Sequence, residues 1–239
     1  MRHSLTSKLI GFFFLSTLVV SAAFSKDIDN QLFSNQLEEI LNQRKDHLLK
    51  KLFSQKSLSK FNTQYLAFRN KYKESKWSIQ MISNGPNKSL LDVKIKSART
   101  IGGQIYNLHT KQTVKIETYK NKIKNYKIID EESILKSQNS ALIVKLISPE
   151  KVLTGERYEI NLIIESPLDN SLTASGIILL KNNEKMKISN DLFGIKPDKS
   201  GGLFKYIQAP LEPGSQTISA LITHPEGIYS ITKKIKVGL

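Results

Sequence analysis

The stretch Phe61–Met81, FNTQYLAFRNKYKESKWSIQM, decides the fold because the spacing of its apolar residues changes partway along. Up to Tyr72 the aromatic residues recur three or four positions apart, which is the spacing of one face of an α-helix. From Trp77 onward apolar and polar residues alternate, as they do in a β-strand with one buried face. The sequence therefore predicts a helix whose aromatic face packs against a sheet that begins near Trp77.

The segment before this stretch is predicted to be helical as well. Residues 30–54 contain neither glycine nor proline, and their leucines recur at spacings of four and seven. This pattern predicts one amphipathic helix of about six turns. Asp46 and Lys50 are spaced for an ion pair on that helix, and Ser57 is placed to cap the helix that follows.

The residues after Met81 predict about four antiparallel strands. The sequence Asn-Gly-Pro-Asn indicates a turn at residues 84–87, and Gly102 and Gly103 indicate a second break. The long stretch Ile105–Lys120 holds little that would end a strand. Two helices on a long, bent antiparallel sheet predict an α+β cone with a pocket at its open end.

This order of elements resembles the cone-shaped fold shared by nuclear transport factor, SnoaL-like and cystatin-like proteins. The resemblance covers about residues 30–135, and the side chains that carry it are Phe61, Tyr65, Phe68, Tyr72, Trp77 and Ile79. It implies a domain whose relatives include isomerases, dehydratases, ligand carriers and structural modules. Enzymes of that group use a His/Asp or Tyr/Asp arrangement inside the cone.

Three residues of the predicted long strand are candidates for such a pocket. His109, Glu117 and Tyr119 share one phase of the alternation, so a strand without a bulge points them to the same side. Asp92 is not assigned as a partner of His109, because its phase places it on the outer face with Lys94. The alternative is that the three residues are ordinary surface and core residues.

The chain beyond Ala141 predicts β-structure throughout. Seven or eight short strands, with turn signals every 10–15 residues, are typical of an all-β sandwich. Residues 141–239 resemble bacterial immunoglobulin-like domains, which implies adhesion, spacing or protein contact. The residues that carry this resemblance are Pro149, Val152, Gly155, Tyr158, Ile160, Leu211, Pro213, Gly214, Ile218 and Ala220.

Charge also divides the chain. It carries 36 Lys and Arg residues against 21 Asp and Glu residues, and nearly all of the excess lies before residue 141. This shift predicts two modules with a boundary near residues 130–140. We therefore expect a signal peptide at residues 1–25, the α+β cone at residues 26–135 and the immunoglobulin-like β-sandwich at residues 136–239.

The first 25 residues have the form of a secretory signal peptide. Arg2 and Lys8 precede the apolar run Leu9–Val20, and cleavage is expected after Ala23 or after Ser25. An uncleaved anchor is the alternative, although the run is short for a membrane span of about 20 residues. We expect export to the periplasm or the cell surface, with no transmembrane segment in the mature chain. The absence of cysteine favours a bacterial envelope.

The catalytic motifs are weak, so we expect a non-catalytic protein without metal or cofactor. Ser57 and Lys60 match S-x-x-K but lack its companion motifs. The predicted function is an exported binding or structural module that contacts an envelope protein or an anionic polymer or lipid surface. A solvated lysine surface is the alternative explanation of the charge. Nucleic acid is not expected, because its readers favour arginine. The second functional hypothesis is a small-molecule-binding or isomerase/dehydratase-like domain that uses a pocket in the first module.

Overall fold

A computed structural model describes residues 30–85, 87–165, 173–180, 196–198 and 201–238 of the chain. The predicted signal peptide, residues 1–25, lies outside these residues. The described helices are α1 Asn30–Asn42, a 3-10 turn Asp46–Leu48, α2 Leu49–Leu52 and α3 Gln55–Lys71. The described strands are β1 Glu74–Gly85, β2 Lys88–Ile101, β3 Gln104–Tyr119, β4 Lys122–Ser137, β5 Val144–Ile147, β6 Lys151–Val152, β7 Arg157–Ile164, β8 Thr173–Leu180, β9 Lys196–Asp198, β10 Gly202–Gln208, β11 Gly214–His224 and β12 Gly227–Val237.

The change of period after Tyr72 is confirmed by α3 and β1, but the predicted single helix over residues 30–54 is wrong. The chain turns at Arg44, whose φ of 56° is left-handed, and this turn separates α1 from α2. Asp46 then accepts hydrogen bonds from the Arg69 guanidinium and the Tyr65 hydroxyl of α3 instead of pairing with Lys50. A tertiary contact thus replaces the predicted ion pair within one helix.

The start of α3 also differs from the prediction. The helix begins at Gln55 with Ser54 at the N-cap position, so Ser57 lies inside its first turn. Ser57 is buried, and its hydroxyl donates a 2.5 Å hydrogen bond to the Ile123 carbonyl at the start of β4. The serine therefore ties α3 to the sheet and does not cap the helix.

One antiparallel sheet joins the two halves of the chain. Its strands lie in the order β1-β2-β3-β4-β12-β11-β8-β9, and β6 pairs in parallel with β12. A second sheet has the order β10-β7-β5. The large sheet crosses the predicted boundary because β4 pairs with β12, with Ile134 opposite Ile231. Residues 130–137, predicted to belong to a link between modules, form the end of β4.

The predicted fold class, an α+β cone followed by a separate immunoglobulin-like sandwich, is therefore wrong. β-Structure after Ala141 is confirmed over the described residues, but five of those strands belong to the sheet that starts at β1. The cause of the error is composition. Three consecutive acidic residues, Asp130, Glu131 and Glu132, open this part of β4, and such a polar cluster has the composition of a linker.

Two hydrophobic cores lie on opposite faces of the large sheet. The first is built by α1, α2, α3 and the helix-facing side of β1–β4, with Leu49 and Ile116 buried at its centre. The second lies between the large sheet and the three-stranded sheet, around Ile160 and Ile218. Ile134 packs on this second core, whereas Leu135 faces α3, because successive strand residues point to opposite faces.

The end of β4 is held against the hairpin of β11 and β12 at Gly227. Ser137, the last residue of β4, is fully buried and accepts a 2.9 Å hydrogen bond from the Ile228 backbone amide. Gly227 has a φ of 132°, and a side chain at this position would overlap the Ser137 hydroxyl. Both the backbone angle and the close approach require glycine here.

We expect Gly227→Ala to lower the free energy of unfolding by about 2–4 kcal/mol, because it adds overpacking to backbone strain. Urea unfolding followed by far-UV circular dichroism and by the fluorescence of Trp77, the single tryptophan, measures this change. Both signals should shift together, because the sheet joins the two cores. Gly214→Ala is the control, since nothing lies within 4 Å of a side chain built there. Unshifted Trp77 fluorescence would show that the halves unfold separately.

Because Tyr158 is buried in the second core, the protein loses stability at alkaline pH. Burial raises the pKa of Tyr158 to about 12, and its hydroxyl donates a 2.7 Å hydrogen bond to Gln216. The unfolded tyrosine ionises near its ordinary pKa of 10.0. The folded chain retains the proton between these two values, so stability present below pH 10.0 is lost as the pH rises towards about 12.

We expect Tyr158→Phe to be less stable than the wild type at neutral pH by about 1 kcal/mol, because it loses the hydrogen bond. Between pH 10.0 and about 12 it should lose less stability than the wild type does. Chemical unfolding at several alkaline pH values measures both effects. The matched control is Tyr119→Phe, at a side chain that is 61% exposed. If stability fell equally with pH in Tyr158→Phe and in the wild type, the raised pKa of Tyr158 would be contradicted.

Candidate functional site

The structure places the three predicted pocket residues on one side of β3, as their phase implies. That side faces away from the helices, because the neighbouring Leu108 and Thr110 are the buried residues of the strand. His109 and Tyr119 are exposed, and Glu117 is half-buried and accepts a 3.5 Å hydrogen bond from the Asn125 side-chain amide.

The three residues are not brought into one cavity. Eight strand positions separate His109 from Glu117, a distance of about 26 Å at 3.3 Å per residue. Glu117 lies directly opposite Lys88 on β2, and the Lys120 ammonium lies 5.4 Å from the centre of the Tyr119 ring. His109 therefore lies far from the other two residues, and no single pocket can hold all three.

His109 instead lies among four exposed lysines. On the outer side of β1, β2 and β3, Lys76 lies directly opposite Lys96, and Lys96 lies directly opposite His109. In the next row Lys94 lies directly opposite Lys111. All five side chains are exposed. We call this set, Lys76, Lys94, Lys96, His109 and Lys111, the basic face.

Carboxylates offset only part of this charge. Asp92 forms a 3.3 Å ion pair with Lys94, and Glu132 lies opposite Lys111 on β4. The row of Lys76, Lys96 and His109 continues on β4 with the apolar Ile134. Like charges directly opposite each other destabilise a sheet. The row thus presents positive charge to solvent at the expense of stability.

Part of the basic face could be predicted from the sequence. The alternation placed Lys94 and Lys96 on the outer face of β2, and the net charge was known to lie in the first half. The register of β1 on β2 and of β2 on β3, which aligns Lys76 with Lys96 and His109, is not visible in a single strand.

We expect Lys96→Thr to raise the free energy of unfolding by about 0.5 kcal/mol, because it removes repulsion from Lys76, the cation directly opposite. The gain should shrink in about 0.5 M salt, where exposed charges are screened. Urea unfolding at low and high salt measures the difference. Lys145→Thr, at an exposed position opposite Ile163, controls for the strand propensity of threonine. An equal gain at both positions, independent of salt, would show that charge plays no part.

A cavity of about 180 Å³ lies on the other side of the same strands, beneath α3. Its walls are mostly apolar and come from α1, α3 and the helix-facing residues of β1–β4. They include Phe61, Phe68, Trp77, Val93, Val114 and Ile128. Polar groups are few, and one of them, the Gln64 carboxamide oxygen, accepts a 2.6 Å hydrogen bond from the Tyr126 hydroxyl.

A polar cleft of about 610 Å³ lies at the C-terminal end of α3. Its lining includes Phe68, Lys71, Tyr72, Arg99, Leu108, Glu131, Ser133, Leu135, Ser230 and Thr232. The Arg99 guanidinium lies 5.2 Å from the centre of the Tyr72 ring. Burial raises the pKa of Tyr72, an effect that the charge of Arg99 partly offsets. The cleft therefore combines two cations, one carboxylate, hydroxyls and aromatic rings.

The S-x-x-K pair is not assembled for catalysis. The Ser57 hydroxyl donates to Ile123, as described above, and the Lys60 ammonium lies 4.9 Å from the centre of the Tyr126 ring. Among the described residues, no three His, Cys, Asp or Glu side chains are grouped closely enough to hold a metal ion. None of the helices in this part of the chain has the length and apolar character needed to cross a membrane.

Comparison with known families finds a match in the second half of the chain. Residues 139–238 match a family described as a domain of unknown function (DUF8623). The matched segment begins just after β4 ends and contains β5–β12. The basic face and the cavity lie outside it. Comparison with curated protein sequences gives no match.

Proposed function

We propose that this protein is a non-catalytic binding module of the bacterial cell envelope that attaches to an anionic polymer through its basic face. The observation that carries the proposal is the row of Lys76, Lys96 and His109, three exposed neighbours on adjacent strands. Export rests on the signal-peptide pattern of residues 1–25.

The geometry of the basic face suits an extended polyanion. Adjacent strands are about 4.8 Å apart, so the basic face holds its four lysines at a close and regular spacing on a rigid support. A polymer with repeated carboxylate, sulfate or phosphate groups can meet several of them at once. Such binding is salt-sensitive, because it depends on exposed charges.

A polymer fits this surface better than a lipid bilayer does. Proteins that lie on membranes usually insert apolar side chains beside their cations. The positions between and beside the lysines are polar, and include Ser78, Gln80 and Thr113. Catalysis is not part of the proposal, because His109 is about 26 Å from Glu117 along β3.

Charge reversal on the basic face tests this proposal. We expect the double variant Lys96→Glu/Lys111→Glu to bind heparin at least tenfold more weakly than the wild type in about 0.15 M salt, because it replaces attraction with repulsion. The elution salt concentration on a heparin column and a titration with soluble heparin measure the change.

The matched control is Lys51→Glu/Lys145→Glu, which changes the net charge equally at exposed positions on α2 and β5. It should keep most of the binding. If both double variants bound heparin equally weakly, net charge alone would explain the effect and a defined site would be contradicted. Binding to phosphatidylglycerol vesicles without binding to heparin would show that the ligand of the basic face is a lipid surface and not a polymer.

A further inference from the structure

The apolar cavity and the polar cleft adjoin each other beneath α3. Phe68 lines both spaces. Gln112, in the wall of the cavity, lies directly opposite Glu131, in the wall of the cleft. Along β2, Ile95 borders the cavity and Arg99 borders the cleft four positions later, a distance of about 13 Å. One elongated molecule can therefore contact both.

The cavity has the size and surface of a site for an apolar group. An engineered apolar cavity of about 150 Å³ in another protein stays free of water and binds benzene. The cavity here is of similar volume, about 180 Å³, and its wall is formed mainly by aromatic and branched aliphatic side chains. Water gains few hydrogen bonds in such a space, whereas an alkyl or aryl group gains contact with the whole wall.

The cleft has the chemistry of a site for an anionic group. The Arg99 Nε atom is buried and has no hydrogen-bond partner among the described residues. A buried donor without a partner is costly, and a guanidinium matches a carboxylate or a phosphate with two parallel hydrogen bonds. The Arg99 guanidinium lies over the Tyr72 ring, and this contact helps to hold it in position. Lys71 adds a second cation to the same cleft.

Other groups in the cleft limit what the ligand can be. The Glu131 carboxylate is 3.4 Å from the Ser133 hydroxyl, which donates to it. The Ser133 hydroxyl is also 2.9 Å from that of Thr110, and the Thr232 hydroxyl is 3.0 Å from that of Ser219. With two cations against one carboxylate, the cleft favours a head of small negative charge.

We infer that the space beneath α3 binds an amphipathic anion, with its alkyl or aryl end in the cavity and its carboxylate or phosphate head at Arg99 and Lys71. This site is independent of the basic face, which lies on the opposite side of β1–β3. Neither the family match nor the proposed polymer binding assigns it.

Binding can be followed through Trp77, which lines the cavity and is the single tryptophan of the chain. The purified full chain is titrated, below micelle-forming concentrations, with decanoate, decyl phosphate, decanol and decyltrimethylammonium. We expect saturable changes of Trp77 fluorescence and heat of binding with the two anions. Decanol should bind at least tenfold more weakly, and the cation more weakly still. A preference between decanoate and decyl phosphate identifies the head group.

Variants separate the two parts of the site. Arg99→Gln should weaken decanoate binding at least tenfold and leave decanol binding unchanged, because it removes only the contact with the head. Val114→Phe should weaken both, because it fills the cavity, and Ile128→Phe is the second filling variant if the first fails to fold. Lys96→Glu, on the opposite side of the sheet, should change neither. Circular dichroism verifies the fold of each variant.

Three results would overturn the inference. Equal binding of decanoate and decanol, together with no effect of Arg99→Gln, would exclude the anionic site. Absence of both heat and fluorescence change with every probe would exclude the cavity as a ligand site. Weaker decanoate binding by Lys96→Glu would show that the anion binds at the basic face and not in the cleft. The last result would leave the polymer proposal intact, so the two proposals fail separately.

Discussion

The pairing of β4 with β12 is the contact on which the rest of the structure depends. It runs from Glu132 opposite Lys233 to Lys136 opposite Tyr229, and it makes one sheet out of strands that lie almost 100 positions apart in the chain. Without it, β4 and β12 would each be an exposed edge. Because strand residues alternate between faces, the same few residues of β4 serve both cores: Ile134 packs on one, and Leu135 faces the helices that cover the other.

This arrangement gives the two faces of β1–β4 different chemistry. Helices cover one face and exclude water from it, so a cavity there can be apolar. The other face stays open to solvent along β1, β2 and β3, where cations can stand side by side. The row of the basic face ends at Ile134, the point at which the sheet passes into the second core. The proposed polymer site and the proposed site for an amphipathic anion thus lie on opposite sides of one sheet.

Much of the local structure was predictable from residue spacing. The aromatic stripe from Phe61 to Tyr72 predicted α3, and alternation predicted β1–β4 and the strands after Ala141. The break at Arg44 was not predictable, because the left-handed turn falls on a residue other than glycine and tertiary contacts of Asp46 accompany it. The predicted pocket failed for a different reason. His109, Glu117 and Tyr119 do share a phase, but the eight positions between His109 and Glu117 already imply about 26 Å in an extended strand, too far for one pocket.

The sequence by itself determined most of the helix and strand segments, which residues of a strand point to the same face, and that the positive charge lies in the first half. Periodicity and composition are local properties, and local sterics and solvation act on them directly. Only the tertiary structure decided that β4 pairs with β12, that Lys76, Lys96 and His109 stand in one row, and that Arg99 reaches the end of α3. Strands pair through backbone groups that are nearly the same at every residue, so the choice of partner and register depends on which faces the whole chain can bury together.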